Sequence, residues 1–261
     1  MSREELRATF EEVPELYDRA RPTYPPELFG DLVELAGLPA QARILEVGPG
    51  TGKATRPLAE RGYEIVAVEL GERLAEVAHR NLAAFPSVEI VTANFESWEP
   101  AVAGFDTVVA FTAFHWIDPD LRLAKSARLL RAGGALAVVQ THHIVRPGGD
   151  GFWAEVQEDY DAVVPSTDNR PPPLAEEVAD LRDELEGSEL FRSPQIRRYE
   201  WDIAYTADEY LAVLDTYSGH RSMTDGERSE LFRRIRRRIE ARPEGHVTKS
   251  YLAILNVART L

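Results

Sequence analysis

Short apolar runs alternate with stretches of helical spacing between residues 25 and 140. The runs are nearly continuous in hydrophobicity, which is typical of strands covered by helices on both faces. Strands that alternate with helices in this way predict βαβ units and a parallel sheet. The five predicted strands are ARILEV (42–47), YEIVAVEL (63–70), VEIVTANF (88–95), FDTVVAF (105–111) and ALAVVQ (135–140).

The pattern changes after residue 140. Residues 150–189 are acidic and contain NRPPP, and we interpret them as part of a helical insertion spanning 141–194. QIRRYEWDIAY and HVTKSYLAILNVART then predict two late strands that rejoin the sheet, so we expect one domain over 1–261. Within it we distinguish an N-terminal segment (1–36), a core (37–140), the insertion and a C-terminal part (195–261).

A basic helix is predicted within 221–242, with Leu231, Phe232, Ile235 and Ile239 on its apolar stripe. We interpret its arginine-rich face as solvated, the usual meaning of such patterning. Contact with the acidic insertion or with an anionic substrate is the alternative.

Composition narrows the class of protein. The chain has 30 basic and 44 acidic residues and a net charge of −14, so it lacks the positive footprint of a nonspecific nucleic-acid binder. It has no cysteine, which excludes disulfides, thiolate catalysis and Cys-ligated metals. No apolar run reaches the roughly 18 to 20 residues of a membrane span, and the charged N-terminus does not resemble a signal peptide. We therefore expect a cytoplasmic protein that binds no membrane.

The strongest motif is the glycine turn EVGPGTG (46–52) between the first strand and the next helix. Glycines there let the backbone turn tightly and approach a ligand. A phosphate loop requires GxxxxGK[ST], but position 47 is Val and position 54 is Ala. A dinucleotide fingerprint requires GxGxxG, whereas these glycines are 48, 50 and 52.

The charge of Glu46 distinguishes ligands that contain phosphate from ligands that carry a positive charge. A buried carboxylate beside a pyrophosphate would be repulsive, whereas beside a cationic ligand it would attract. S-adenosylmethionine carries a sulfonium and an ammonium group and no phosphate.

These residues resemble the first motif of class I S-adenosylmethionine-dependent methyltransferases. YDRARPTYP (17–25), FDTVVAFTAFHWID (105–118) and TYSGH (216–220) resemble the small-molecule branch, type 11/25, which includes trans-aconitate and ubiquinone/menaquinone-type methyltransferases. The resemblance implies a Rossmann-like α/β fold: a seven-stranded, mostly parallel sheet with helices on both faces, an antiparallel last strand and a helical lid insertion.

The resemblance also implies cofactor-binding residues. Gly48, Gly50 and Gly52 would pass beneath the methionine part of S-adenosylmethionine, and Glu46 would lie near its amino group. Glu69 would accept both ribose hydroxyls, and Leu70 would pack on the adenine. The remaining positions are Tyr17, Arg21, Asn94, Phe95, Thr112, Ala113 and His115.

One of these positions departs from the family. Asn94 stands where the family often has Asp; it keeps a carbonyl acceptor for the adenine amino group but loses the charge. The backbone N–H of Phe95 would meet an adenine ring nitrogen.

Candidate catalytic and substrate-binding residues lie at the same edge of the predicted sheet. His115 is the first candidate base, followed by His142 or His143, which strand alternation places on opposite faces. Tyr24, Trp116 and His142 are expected to bind substrate. Trp116 could instead pack in the core and Arg21 could instead stack on nearby prolines. We expect no metal site.

We therefore predict a methyltransferase that moves a methyl group to an oxygen, nitrogen or carbon of a small molecule and releases S-adenosylhomocysteine. We expect it to be a monomer or homodimer. An NAD(P)-dependent oxidoreductase and a non-catalytic S-adenosylmethionine-binding module are the alternatives.

Overall fold

The computed structural model describes residues 9–165 and 170–261, so residues 1–8 of the N-terminal segment and 166–169 of the insertion lie outside the described residues. Seven strands form one mixed sheet in the order β3-β2-β1-β4-β5-β7-β6, and its last strands run antiparallel. The predicted fold class is thus confirmed. The strands are β1 Arg43–Val47, β2 Glu64–Glu69, β3 Val88–Thr92, β4 Phe105–Phe111, β5 Leu130–Ile144, β6 Gln195–Thr206 and β7 His246–Arg259.

Helices connect and cover these strands. Short 3₁₀ turns lie at Thr9–Glu12, Phe114–Trp116 and Ala175–Glu177. The described α-helices are α1 Pro14–Ala20, α2 Pro26–Ala36, α3 Thr55–Ala59, α4 Glu72–Asn81, α5 Pro119–Leu129, α6 Phe152–Glu155, α7 Gln157–Val163, α8 Arg182–Gly187, α9 Ala207–Leu214, α10 Ser218–Arg221 and α11 Asp225–Glu240.

Parallel pairing brings several strand ends to one edge of the sheet. Val47 pairs with Val68, Glu46 with Val109, and Glu69 with Thr92. The residues that follow β1, β2 and β4 are therefore neighbours, which is where open α/β sheets bind ligands.

Two strand ends beside the predicted site residues differ from the sequence prediction. β3 ends at Thr92, so Asn94 and Phe95 lie in the following turn rather than at the strand end. β5 continues to Ile144 and contains His142 and His143, which were expected to follow it.

The described residues form two compact units. The first comprises 9–21, 142–165, 170–179 and 200–252, and the second 22–141, 180–199 and 253–261. The predicted insertion divides between them at residue 180. The expectation of a single domain stays a prediction.

Each unit has its own hydrophobic core. In the second unit, strand residues such as Leu45, Val108 and Leu136 pack together with Leu185 and Phe191. In the first unit, the core contains Leu231, Ile235 and Ile239, and Phe232, which is partly buried, packs against it, so the apolar stripe predicted for the basic helix faces the core.

The basic face of α11 is not simply solvated. Arg238 Nε donates to Asp159 Oδ2 at 2.7 Å, and its Nη2 donates to Glu158 at 3.3 Å. Arg242, two residues beyond the end of α11, donates from its Nη2 to Asp150 at 2.8 Å. These arginines contact the acidic insertion, as in the alternative interpretation, because both segments belong to the first unit.

Candidate functional site

The glycine turn follows β1 in the second unit and has three left-handed backbone positions. Gly48, Gly50 and Gly52 have φ values of 68°, 58° and 87°. A Cβ on Gly48 would lie 2.6 Å from Ala113 Cβ, and one on Gly52 would lie 2.8 Å from Leu82 Cδ1. Glycine is therefore required at both positions by backbone conformation and by close packing.

Glu46 is a fully buried carboxylate at the end of β1. Neither of its oxygens accepts a hydrogen bond from any described residue. Burial raises its pKa from 4.5 to about 7; the nearby Thr55 hydroxyl opposes the shift and the charge of Glu69 adds to it. An unpartnered buried carboxylate is costly, so this site is built to receive a positively charged or proton-donating group.

Glu69 braces the glycine turn from the end of β2. Its Oε2 accepts from the backbone N–H of Gly50 at 2.8 Å, and its Oε1 accepts from Gly71 N–H at 2.9 Å. Each carboxylate oxygen can accept more than one hydrogen bond, so both can still receive hydroxyl donors. Leu70, the next residue, is 44% exposed, which leaves an apolar surface beside this carboxylate. We call Glu46, the three turn glycines and Glu69 the glycine-turn site.

Asn94 organises the turn after β3. Its Oδ1 accepts from Glu96 N–H at 2.9 Å, and Glu96 Oε1 accepts from Asp118 N–H at 3.0 Å. The amide carbonyl that was expected to meet the adenine amino group thus accepts a bond within the local turn and keeps one lone pair for a further donor. The side chain of Phe95 is buried, and its backbone N–H donates to no other described residue.

Thr112 follows β4 in a strained conformation. Its φ is 55°, which is unusual for a β-branched residue. Its hydroxyl lies 3.0 Å from the Tyr24 hydroxyl and 3.0 Å from the Thr141 hydroxyl. Backbone strain of this kind accumulates at functional sites. The structure therefore places Tyr24, Thr112 and Ala113 beside one another, with Ala113 against Gly48.

His115 and Trp116 share the 3₁₀ turn after Thr112. His115 is exposed, Trp116 is half-buried, and their rings lie 4.8 Å apart. Neither ring is part of the hydrophobic core of this unit.

Tyr17 and Arg21 belong to the first unit. Arg21 Nε donates to Thr216 Oγ1 at 2.7 Å, and its Nη2 donates to Thr216 O at 2.9 Å. Its guanidinium lies 4.2 Å from the Tyr217 ring centroid and 5.1 Å from that of Tyr17. Arg21 therefore contacts TYSGH, one of the motifs quoted for the family resemblance, rather than the prolines of the alternative interpretation; its role at the cofactor stays a prediction.

His142 and His143 are also residues of the first unit. The ring of His143 packs edge-on against Trp153 at 4.1 Å. Burial, and then the charge of Lys249, lowers the pKa of His143 to about 2. This imidazole is therefore neutral at physiological pH.

Sequence reasoning missed Lys249, which is 2% exposed. It donates to Tyr217 Oη at 2.8 Å and lies among three tyrosine rings. The available signal was a charged residue between Val247 and Tyr251, on the same face of an otherwise apolar strand.

Two further observations concern metal ions and membranes. Within residues 9–165 and 170–261, no group of three His, Asp or Glu side chains is placed to bind a metal ion. No helix among the described residues is long and apolar enough to cross a membrane.

A cleft of about 580 Å³ opens at the other edge of the sheet, where Glu64, Ser87 and Glu89 lie at the amino ends of β2 and β3. It is separate from the glycine-turn site, which follows the carboxyl ends.

The glycine-turn site fits S-adenosylmethionine by the chemistry of its donors and acceptors. Glu46 lacks a cationic partner, the glycines leave backbone space, and Glu69 offers carboxylate oxygens beside an exposed apolar side chain. No group in this set is suited to a polyphosphate.

Comparison with known proteins agrees with this fold. Residues 44–134 match the family described as a methyltransferase domain. A solved structure of a candidate type II methyltransferase from Anaeromyxobacter dehalogenans has a TM-score of 0.59 and 25% identity, covering 92% of this chain and 97% of that one. The fold is therefore similar to that of the Rossmann-like methyltransferases, and residues 44–134 match a methyltransferase-domain family.

Two curated relatives match a similar length of this chain. An uncharacterized methyltransferase from Mycobacterium tuberculosis is 37% identical over 139 residues, 53% of this chain and 54% of the relative. A demethylmenaquinone methyltransferase from Clavibacter sepedonicus is 30% identical over 141 residues, 52% of this chain and 58% of the relative. The chain thus spans about half the length of these relatives.

Proposed function

We propose that this chain transfers the methyl group of S-adenosylmethionine to an oxygen, nitrogen or carbon of a small molecule by in-line displacement and releases S-adenosylhomocysteine. The observation that carries the proposal is Glu46, a buried carboxylate with no hydrogen-bond partner among the described residues, directly before the glycine turn. An ammonium group would satisfy it, and a phosphate would not.

The glycine-turn site supplies the binding groups. Glu46 would hold the amino group, and the turn glycines would admit the methionine part. Glu69, already fixed by two backbone N–H groups, would accept from the ribose hydroxyls. The backbone N–H of Phe95 would donate to the adenine ring, and Leu70 would cover it.

When bound, the cofactor supplies an electrophilic methyl group on its sulfonium. The protein's contribution is to bind, orient and exclude water, and orientation alone accounts for much of such rate accelerations. If the acceptor is a hydroxyl or a protonated amine, His115 is our first candidate to accept its proton. A carboxylate acceptor needs no base.

A small-molecule acceptor is supported by two observations. The net charge of −14 opposes binding to nucleic acid, which is itself an anion. One of the relatives described above is named for a quinone substrate, demethylmenaquinone.

Calorimetry with S-adenosylhomocysteine and with NADH tests the cofactor assignment. We expect heat from the first ligand only. We also expect Glu46→Gln to weaken S-adenosylhomocysteine binding about tenfold or more, because a charged hydrogen bond is lost. Glu64→Gln, a control on the exposed end of β2, should bind normally. Binding of NADH alone would refute the proposal.

Incubation with methyl-labelled cofactor and a metabolite panel tests transfer itself. Label in a product, with stoichiometric S-adenosylhomocysteine, is the expected result. Tight cofactor binding without release of S-adenosylhomocysteine across the panel would favour the non-catalytic binding module.

A further inference from the structure

Lys249 is a buried cation whose hydrogen-bond partner is a phenol. It is 2% exposed, and its Nζ donates to Tyr217 Oη at 2.8 Å. Across residues 9–165 and 170–261, no Asp or Glu oxygen lies within ion-pair distance of this ammonium group. Burying a charge without a counter-ion is strongly unfavourable, so the surroundings of Lys249 are expected to supply negative charge.

Arg21 brings a second cation to the same phenol. Its guanidinium carbon lies 4.2 Å from the ring centroid of Tyr217, and its hydrogen bonds go to the hydroxyl and the carbonyl of Thr216. In the part of the chain that the structure describes, it too has no carboxylate partner. Two cations, one at the end of α1 and one on β7, thus meet at Tyr217, and all three residues belong to the first unit.

Tyr217 is the group between these cations that can become an anion. A phenol ordinarily ionises near pH 10, and both an adjacent cation and a hydrogen bond donated to its oxygen favour the phenolate. Lys249 supplies both, because its Nζ also lies 4.9 Å from the ring centroid. Burial acts to raise the pKa of Tyr217, but the charges of Lys249 and Arg21 and the hydrogen bonds with Lys249 and Tyr251 together lower it.

The other titratable groups around Tyr217 keep their ordinary neutral forms. From α10, the ring of His220 lies 6.0 Å from that of Tyr217, and burial lowers its pKa to about 4. Asp215 is paired with Arg221 at 3.0 Å. Burial raises the pKa of the neighbouring tyrosines on α7, β6, α9 and β7, which are Tyr160, Tyr205, Tyr210 and Tyr251. The ionisation of Tyr217 is therefore separated in pH from that of these tyrosines and of His220.

Arg21 follows a segment that packs on the same unit. We call residues 9–21, a 3₁₀ turn followed by α1, the α1 segment. Arg221 Nε donates to Glu12 at 2.8 Å, and Ala20 packs against the hydrophobic core of the unit. An exposed ion pair such as that of Glu12 contributes little. The contacts of Arg21 with Thr216 and Tyr217 are therefore the main polar attachment of the α1 segment.

We propose that Tyr217 is held as a phenolate between Lys249 and Arg21, and that this anion fastens the α1 segment to the rest of the first unit. A phenolate carries a full negative charge, so it attracts the Arg21 guanidinium more strongly than a neutral ring does. Protonation of Tyr217 removes this attraction. The α1 segment is therefore held more firmly above the pH at which Tyr217 ionises than below it. This device needs no ligand and does not depend on the methyl transfer proposed above.

The ultraviolet absorbance of tyrosinate tests the phenolate. The chain has nine tyrosines, and we expect one tyrosinate per chain to form at a lower pH than the others and below the ordinary value near 10. Tyr217→Phe should abolish this step, and Lys249→Met should move it to higher pH. Tyr63→Phe removes a buried tyrosine of the second unit and should leave the step unchanged. Ionisation of all nine tyrosines near or above pH 10, or a low step that persists in Tyr217→Phe, would overturn the proposal.

Hydrogen–deuterium exchange tests the fastening. The amides of Tyr17 and Arg21 donate to the carbonyls of Val13 and Tyr17, so their protection reports on α1. Their protection factors, which remove the intrinsic effect of pH on exchange, should be about two to five times higher above the Tyr217 step than below it. The amides of α4, in the second unit, should show no such change. Equal protection of α1 on both sides of the step would show that the phenolate does not hold the segment.

Two arginine variants complete the test. Arg21→Met should lower the protection of α1 and abolish its dependence on the Tyr217 step. Arg19→Met removes an exposed charge from the same helix and should retain that dependence. If the protection of Arg21→Met still follows the step, the proposal fails. Where a variant does not fold, the absorbance and exchange of the wild type decide.

All of these measurements use the full chain without S-adenosylmethionine. Absence of the low tyrosinate step would remove this proposal and leave the methyltransferase assignment intact. Absence of S-adenosylhomocysteine binding would remove that assignment and leave the phenolate in place.

Discussion

At the scale of single residues, the Glu46 carboxylate is expected to strengthen cofactor binding and to lower the free energy of unfolding. Its carboxyl ionises near pH 4.5 in the unfolded chain and at about 7 in the folded one. Ionisation therefore favours unfolding, and the penalty grows between these values and is complete above them. This shift corresponds to roughly 3 kcal/mol at most.

Glu46→Gln should therefore stabilise the free protein at pH 8 by about 1 to 3 kcal/mol while it weakens cofactor binding. Urea unfolding without ligand, at pH 5 and pH 8, measures the effect. The gain should be largest at pH 8. An equal free-energy difference at both pH values would contradict the assigned pKa.

His115 permits a separate prediction about chemistry. If the acceptor is a hydroxyl, His115→Ala should lower kcat by about 10² to 10⁴ with little change in the Kd for S-adenosylhomocysteine. The loss of a base affects proton transfer, whereas the glycine-turn site stays intact. Steady-state kinetics and calorimetry on one preparation measure both, and undiminished turnover would remove His115 as the base.

At the scale of elements, the glycine turn should tolerate no side chain at residue 52. Gly52→Ala would keep a φ of 87° and bring a Cβ to 2.8 Å from Leu82, so we expect a loss of about 1 to 3 kcal/mol. Gly30 lies within α2 with nothing within 4 Å of an added Cβ. Gly30→Ala should therefore stabilise by about 0.5 to 1 kcal/mol. Urea midpoints compare the two, and a neutral Gly52→Ala would contradict the close packing.

The ion pair between α11 and α7 leads to a second prediction at this scale. Arg238→Met would leave Asp159, which is 5% exposed, without its 2.7 Å partner, and we expect a loss of about 1 to 3 kcal/mol. Arg233→Met breaks an exposed pair with Glu230 and should cost less than about 0.5 kcal/mol. Equal effects in denaturant titrations would show that α11 is held by its apolar stripe alone.

Element boundaries show where sequence reasoning reached its limit. Apolar runs located the first five strands, because burial on a sheet requires them, whereas β6 was located from QIRRYEWDIAY, a segment with only two buried residues. They did not predict that β5 continues through His142 and His143, since the polar residues at its end carry no apolar signal. Nor did they show that Asn94 would use its carbonyl in a local turn.

At the scale of the whole molecule, the two neutral histidines predict acid sensitivity. His143 and His220 bind protons near pH 6.5 when unfolded but only near 2 and 4 when folded. Stability should therefore fall as pH decreases below 6.5, by about 1.4 kcal/mol per pH unit for each histidine. Glu46 has the opposite effect between pH 4.5 and 7, because there the folded protein binds a proton that the unfolded chain does not. In this range it cancels the contribution of one histidine to the pH dependence of stability.

His143→Phe should remove the contribution of one histidine to this pH dependence. The stability of the variant should therefore change less between pH 6.5 and 4 than that of the wild type. Thermal unfolding across that range, compared with wild type, measures it. A variant whose profile keeps the wild-type slope would show that His143 titrates normally in the folded protein.

The sequence by itself determined the order of the candidate binding residues along the chain. One carboxylate precedes the glycine turn, and a second follows at the end of the next strand. Local patterns suffice there, because backbone conformation and burial act on consecutive residues. Only the tertiary structure decided which side chains were already occupied. It showed that Glu69 is fixed by Gly50 and that Arg21 is held by Thr216, and it showed that Lys249 is buried. Local sequence patterns could not predict these features, because each of them depends on residues that are distant in the chain.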